Sequence, residues 1–333
     1  MLRTIPLLTS PSWQEQLADL VTDPAELLAI LQLKVDDIGL SKDAMQSFPL
    51  RVPRPYLARI KPGDPQDPLL LQVLPVTAEM AAHSGYSHDP LGELGVNQTP
   101  GLLHKYAGRV LLIATSSCAI HCRYCFRRHF PYSDNRPGRE QWQDSFAYIA
   151  ANPDIHEVIL SGGDPLATSN AYLTWLVEKL LAIPHVRRLR LHTRVPIMIP
   201  QRVDAPLVQI LGKRKQQIVM VLHANHAQEF DAEVDSACQR LRAGGVHLLN
   251  QSVLLAGIND SSAALCALSE RMFAAGVLPY YLHMLDKVSG AAHFAVSLPE
   301  AQELISKMQA TLPGYLVPRL VREEAGMMSK IPL

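Results

Sequence analysis

The stretch RVLLIATSSCAIHCRYCFRRHF, residues 109–130, joins an apolar, β-branched run to a loop that holds three of the chain's five cysteines within eight residues. RVLLIAT, 109–115, has no polar alternation and predicts a strand buried on both faces. The loop carries Cys118, Cys122 and Cys125 in the spacing C-x3-C-x2-C, with Arg127 and Arg128 immediately after. Later apolar runs also end in residues that a structural turn does not require. EVILSGG (157–163) leads into Gly162-Gly163-Asp164, RLRLHTR (188–194) ends in His192-Thr193-Arg194, and IVMVLHAN (218–225) ends among His223, Asn225 and His226. HLLNQSVLLAG (247–257) carries Asn250-Gln251-Ser252, and Asp286 follows LPYYLHM (278–284).

Between these runs lie segments of helical period near 140–151, 171–183, 203–213, 230–243 and 262–276, with another at 299–312. Repeated strand and helix alternation predicts an α/β fold with a parallel sheet. A doubly wound sheet gathers its polar chemistry at one switch point, whereas a barrel mouth collects it from every strand in turn. The expected fold is therefore a partial (β/α)6 barrel resembling a TIM barrel, spanning 101–313. Residues 1–100 are expected to wrap it as a mainly helical region. Asp23-Pro24-Ala25-Glu26 is a helix start, and the Pro-studded stretch from FPLRVPRPYLARI to KPGDPQDPLL, 48–70, allows neither central strand nor long helix. Residues 314–333 form a short C-terminal segment.

The chain has 333 residues, 48% of them hydrophobic, and its 31 basic and 31 acidic side chains cancel, so no excess charge steers it to nucleic acid or to an anionic membrane. The N-terminal MLRTIPLLTSPSWQEQL is broken by Pro and Ser, and no apolar run is long enough to span a bilayer. A cytoplasmic location is expected. Cys238 and Cys266 stand alone and make poor material for a disulfide framework. Cys238 shares an apolar stripe with Val234, Ala237 and Leu241, which predicts core packing.

Three close thiols suit a soft metal centre. Zinc wants a closed set of four ligands, and His121 or His129 stands close enough in sequence to complete one. A 4Fe-4S cluster on three cysteines leaves one iron open, which is where an exogenous ligand binds and chemistry occurs.

Cys118, Cys122 and Cys125, with Tyr124 before the last, resemble the signature of radical S-adenosylmethionine enzymes. That resemblance implies a partial barrel and S-adenosylmethionine chelated at the open iron, with Gly162, Gly163 and Asp164 at its methionine amino group. YAGRVLLIATSSCAIHCRYCFRRHF, EVILSGGDPL, HTRVPIMIPQRV, LHANHAQEF, NQSVLLAGIND and YYLHMLDKVSGAAHF are similar, in order and spacing, to lysine 2,3-aminomutases. This closer resemblance implies that L-lysine becomes β-lysine, with pyridoxal phosphate carried on Lys330 in EEAGMMSKIPL. It implies that Arg127 holds the substrate carboxylate, that Arg109 meets the cofactor phosphate, and that Asp286 and Glu323 hold the distal ammonium. Glu323 stands where the family has a second aspartate. His223, Asn250 and Gln251 are expected at the cofactors. The chain stops soon after Lys330, as does the short form of the family that works in β-lysylation of elongation factor P beside a separate β-lysine ligase. An external electron donor of flavodoxin or ferredoxin type and a small homo-oligomer are further expectations. Two alternatives stand beside this reading: an aminomutase for another amino acid, and a non-enzymatic zinc protein.

Overall fold

The chain is described by a computed structural model that covers residues 11–133, 135, 138 and 140–333. The beginning of the Pro-interrupted N-terminal stretch, 1–10, lies outside the described residues. The N-terminal region folds as short helices α1 (Trp13–Ala18), α2 (Pro24–Leu31), α3 (Lys42–Ser47), α4 (Arg54–Leu57) and α5 (Pro68–Leu71). An antiparallel pair, β1 (Leu20–Val21) and β2 (Val52–Pro53), ties them together. Prolines start several of these helices, and acids cap them: Asp23 accepts from Ala25 N at 2.9 Å and Asp67 from Leu69 N at 2.8 Å.

The main sheet is made of β3 (Asn97–Thr99), β4 (Leu102–Tyr106), β5 (Arg109–Thr115), β6 (Glu157–Gly162), β7 (Arg188–Thr193), β8 (Gln217–Leu222), β9 (His247–Val253), β10 (Leu278–His283), β11 (Arg319–Arg322) and β12 (Ile331–Pro332). They lie side by side strictly in chain order. From β5 to β11 every neighbour is parallel, while β3 and β4 at one end and β12 at the other run antiparallel. The crossovers contain α6 (Trp142–Ala151), α7 (Asn170–Leu181), α8 (Val195–Met198), α9 (Ala205–Leu211), α10 (Ala232–Ala243), α11 (Ser262–Ala274) and α12 (Leu298–Thr311). A sheet that never reverses its order has no switch point, so it curls as an unclosed barrel with its helices on one side.

The six expected strands and six expected helices are present, with ends moved by a few residues. The edge strands were not legible, because LLHKY and RLVR are short and half polar. The hairpin β3–β4 straddles residue 100, so the wrapping region also enters the sheet. It shares the main core as well: Leu27, Leu31, Tyr56, Leu69 and Val73 are buried in one cluster with Leu112, Leu160, Leu176 and Leu222 of the barrel units. Cys238 is fully buried there, as its stripe predicts.

Strand alternation decides what faces inward. Val110, Leu112 and Ala114 of β5 and Leu189 and Leu191 of β7 pack against the helices, which leaves Arg109 and Arg190, His192 and Arg194 on the barrel wall. Gly162, which ends β6, and Gly163 after it permit a close backbone crossing. Gly162 has φ +120°, and a Cβ on Gly163 would lie 2.4 Å from the Ser117 carbonyl oxygen in the cysteine loop. Gly163→Ala is therefore expected to destabilise the chain by about 1–3 kcal/mol through overpacking. Urea unfolding reads this as a lower midpoint, and an unchanged midpoint would mean that the loop moves aside freely.

Candidate active site

The mouth of the barrel holds a cavity of about 570 Å³, lined by residues of β5, β6, β7, β9 and β10 and by His223 just past the end of β8. Cys118, Cys122 and Cys125 line it together, all as free thiols. The N-terminal region grips their loop. Arg51 and Gln72 accept backbone hydrogen bonds from His121 N at 3.0 Å and Arg123 N at 2.9 Å. The fully buried Arg123 guanidinium donates to Glu79 at 2.8 and 2.5 Å and to the carbonyls of Phe48 and Ala44. Arg128 donates to the same Glu79 carboxylate at 2.8 Å.

The donor set suits a cluster. Burial and the neighbouring sulfurs push the Cys118 thiol well up and Cys125 to about 11, so three thiolates at one place call for a positive centre. In a 4Fe-4S cube each thiolate binds a different iron, so the three sulfurs need not converge on a point. The zinc alternative finds less support. His121 Nδ1 meets the Pro49 carbonyl at 2.8 Å and His129 Nε2 the Ser289 carbonyl at 3.1 Å, which leaves each histidine one ring nitrogen and does not itself decide against zinc. Among the described residues no group of three or more His, Cys, Asp or Glu has the grouping of a single-ion site.

The cavity is also lined with charge. Arg127 is buried and donates Nε and Nη2 to the Glu93 carboxylate at 2.6 and 2.9 Å, and Nη1 to Ser161 Oγ at 3.0 Å. Burial alone would raise the Glu93 carboxyl, but Arg127, and then Lys105 at 3.2 Å, outweigh it and hold it below the ordinary range. Lys330 Nζ pairs with Glu323, which also accepts from Tyr106 Oη at 3.0 Å and Lys105 Nζ at 3.4 Å. Those cations overcome burial and bring Glu323 down to about 2, whereas burial and the nearby Glu323 charge raise Asp286 to about 7. Arg109 belongs to the same lining, its guanidinium 4.6 Å from the Tyr106 ring centre. His192 and His283 also line the cavity, and the Nε2 of each is buried with no protein partner. Burial holds both imidazoles neutral, His283 down to about 3, with further lowering from Arg190 at His192 and from Lys330 at His283.

Lys330, the cysteines, Arg109, Arg127, Asp286, Glu323, Gly162, Gly163, His223 and Gln251 thus line one cavity. One expectation needs correction. Asn250 points to the helix side of β9, where its amide bonds Ala224 N and O at 2.9 and 3.0 Å and Ser252 Oγ at 2.9 Å, because period-2 alternation sends Gln251 inward instead. Asp164 lines the cavity beside Gly162 and Gly163, and its carboxylate accepts from Leu166 N, Thr193 Oγ1, Arg194 N and Val195 N at 2.6–3.1 Å, which staples the end of β6 to β7. Glu93, Lys105, Arg190, His192, Arg194 and His283 were missed as site residues. For the residues of β7 the signal was present, since RLRLHTR alternates polar and apolar along its length.

Fold and donor set together define an iron-sulfur protein built on an unclosed barrel, and a family described as "4Fe-4S single cluster domain" matches residues 107–186. The L-lysine 2,3-aminomutase of Escherichia coli (strain K12) is 49% identical over 98% of this chain and 96% of its own length. That of Haemophilus influenzae is 48% identical over 96% and 94%, and that of Clostridium subterminale 34% identical over 96% and 77%. The chain belongs to the lysine 2,3-aminomutase family, isomerases of the radical S-adenosylmethionine class.

Proposed function

We propose that this chain converts L-lysine to β-lysine, using the 4Fe-4S cluster, S-adenosylmethionine and pyridoxal phosphate carried on Lys330. The observation that supports this most is the meeting of Lys330, Glu323, Asp286 and Arg127 with the three cysteines in one cavity. When bound, the cluster and S-adenosylmethionine supply a one-electron route to hydrogen abstraction, and pyridoxal phosphate activates the substrate amine for migration.

Cys118, Cys122 and Cys125 ligate the cluster, and Gly162, Gly163, His223 and Gln251 face S-adenosylmethionine. The unpartnered Nε2 atoms of His192 and His283 fit a polar ligand beside Lys330, because buried imidazoles otherwise find hydrogen bonds. Arg109 meets the phosphate. Arg127, oriented by Glu93, Ser161 and the Gly162 carbonyl, keeps one N–H, on Nη2, for the substrate carboxylate. Asp286 and Glu323 take the distal ammonium, and a glutamate side chain at that end would be repelled.

Asp286 is protonated below pH 7 and charged above it, so kcat/KM for lysine is expected to rise with pH through about 7. Glu323→Gln removes a charge that raises the Asp286 carboxyl, and the midpoint of that rise is expected to move to lower pH. A pH profile of initial rates checks both, and an unmoved midpoint would separate the two acids.

The decisive experiment is anaerobic incubation of the full chain with lysine, dithionite, S-adenosylmethionine and pyridoxal phosphate, with product analysis. β-Lysine is the expected product. Its absence from protein shown to contain iron, sulfide and pyridoxal phosphate would overturn the proposal, and turnover of another amino acid would redirect it. We further infer that the chain works in the cytoplasm with a flavodoxin or ferredoxin as donor, as a small homo-oligomer, and supplies β-lysine to the ligase that modifies elongation factor P. Similarity to the short members of the family supports that last step. Loss of β-lysyl elongation factor P on deletion of the gene, restored by added β-lysine, tests it. Among the described residues no helix is long and apolar enough to cross a membrane.

A further inference from the structure

The end of β7 places a buried arginine of the cavity wall against one cluster ligand. Arg194 is 6% exposed, and its Nη1 donates to Cys122 Sγ at 2.7 Å and meets Tyr124 Oη at 2.7 Å. Its Nη2 donates to Gln72 Oε1 at 2.6 Å and to Glu229 Oε2 at 2.8 Å. The backbone at this point is fixed by Asp164, which accepts from Arg194 N at 2.6 Å and Val195 N at 3.1 Å. Glu229 is fully buried and is itself held by Asn225 N at 2.7 Å and His226 N at 3.1 Å. The result is a fixed, largely buried line from a carboxylate through a guanidinium to a ligand sulfur at the cavity wall.

We propose that Arg194 and Glu229 are positioning residues that set the reduction potential of the cluster through Cys122, with opposite effects. The proposal rests on the assignment of a 4Fe-4S cluster to the three cysteines. Reduction adds one electron, delivered by an external one-electron carrier, to a centre already crowded with thiolates. A guanidinium hydrogen-bonded to a ligand sulfur stabilises that added charge, and hydrogen bonds to sulfur and local charge are levers by which proteins move such potentials. Low local dielectric strengthens the effect. Glu229 sits behind the guanidinium and offsets part of its field. Among the described residues Cys122 is the ligand that a guanidinium hydrogen bond reaches, so the effect enters there.

The test is a redox titration of the anaerobically reconstituted full chain, followed by the electron paramagnetic resonance signal of the reduced cluster. Arg194→Gln is expected to lower the midpoint potential and Glu229→Gln to raise it, with Arg194→Lys falling between Arg194→Gln and the wild type. Iron and sulfide content is measured on each sample. Full cluster content with both potentials at the wild-type value overturns the proposal, and so do shifts of the same sign in both variants, which a merely loosened network would produce. If Arg194→Gln fails to fold, Glu229→Gln decides alone: an upward shift supports the proposal and any other result overturns it. Failure of the wild-type chain to take up iron and sulfide would instead remove the cluster assignment beneath it.

Discussion

Lys330→Ala is expected to lower lysine turnover by on the order of 10³-fold or more, because a cofactor tethered in place is replaced by one captured from solution. It should also abolish the visible absorption of lysine-bound pyridoxal phosphate, while iron and sulfide stay at wild-type content. The position explains the selectivity. Lys330 lies just before β12, its ammonium paired with Glu323, on the wall of the cavity that the cysteine loop also lines. Retained absorption in the variant would show that another amine carries the cofactor. Lys105 is the nearest alternative, since it shares the Glu323 carboxylate at 3.4 Å.

Glu79→Ala is expected to destabilise the chain by about 3–5 kcal/mol, the scale for removing one partner of a buried ion pair. Glu79 is 5% exposed, and its carboxylate accepts from both Arg123 and Arg128. Removal leaves two cations without their shared counter-charge, and both flank the cysteines. Denaturant unfolding of the cluster-free chain measures the loss directly, so it does not depend on metal uptake. A second consequence is faster loss of cluster from the holoenzyme, read by chelator-driven bleaching. Near wild-type stability would mean that water reaches this site and solvates the arginines.

Much of the barrel could be read from the sequence because each unit is locally self-describing. EVILSGG and RLRLHTR carry a strand pattern, and the intervening helices carry their own period and caps. The cysteine loop was legible for a similar reason, since its chemistry lies within one short segment. The grip on that loop was not. Glu79 and Arg123 are 44 residues apart, and Glu79 comes from a Pro-rich region with no periodicity to forecast which of its acids would be buried. Glu93 escaped for the same reason, although it orients Arg127. Asn250 shows the opposite failure. Its segment was recognised, but choosing Gln251 alone required the parity of β9, and a shift of one residue exchanges the two faces.

An open barrel has two free edges, and exposed edges invite pairing with other chains. Here the last strands at both ends, β3 and β12, are two or three residues long and antiparallel to their neighbours. They blunt the sheet against edge-to-edge aggregation. At one end this protection and the tether of Lys330 are the same piece of chain: Ile331 and Pro332 pair with Arg322 and Val321, and Leu333 N donates to the Leu320 carbonyl at 3.1 Å. Removing residues 331–333 would therefore expose the β11 edge and release Lys330 together, coupling solubility to catalytic competence.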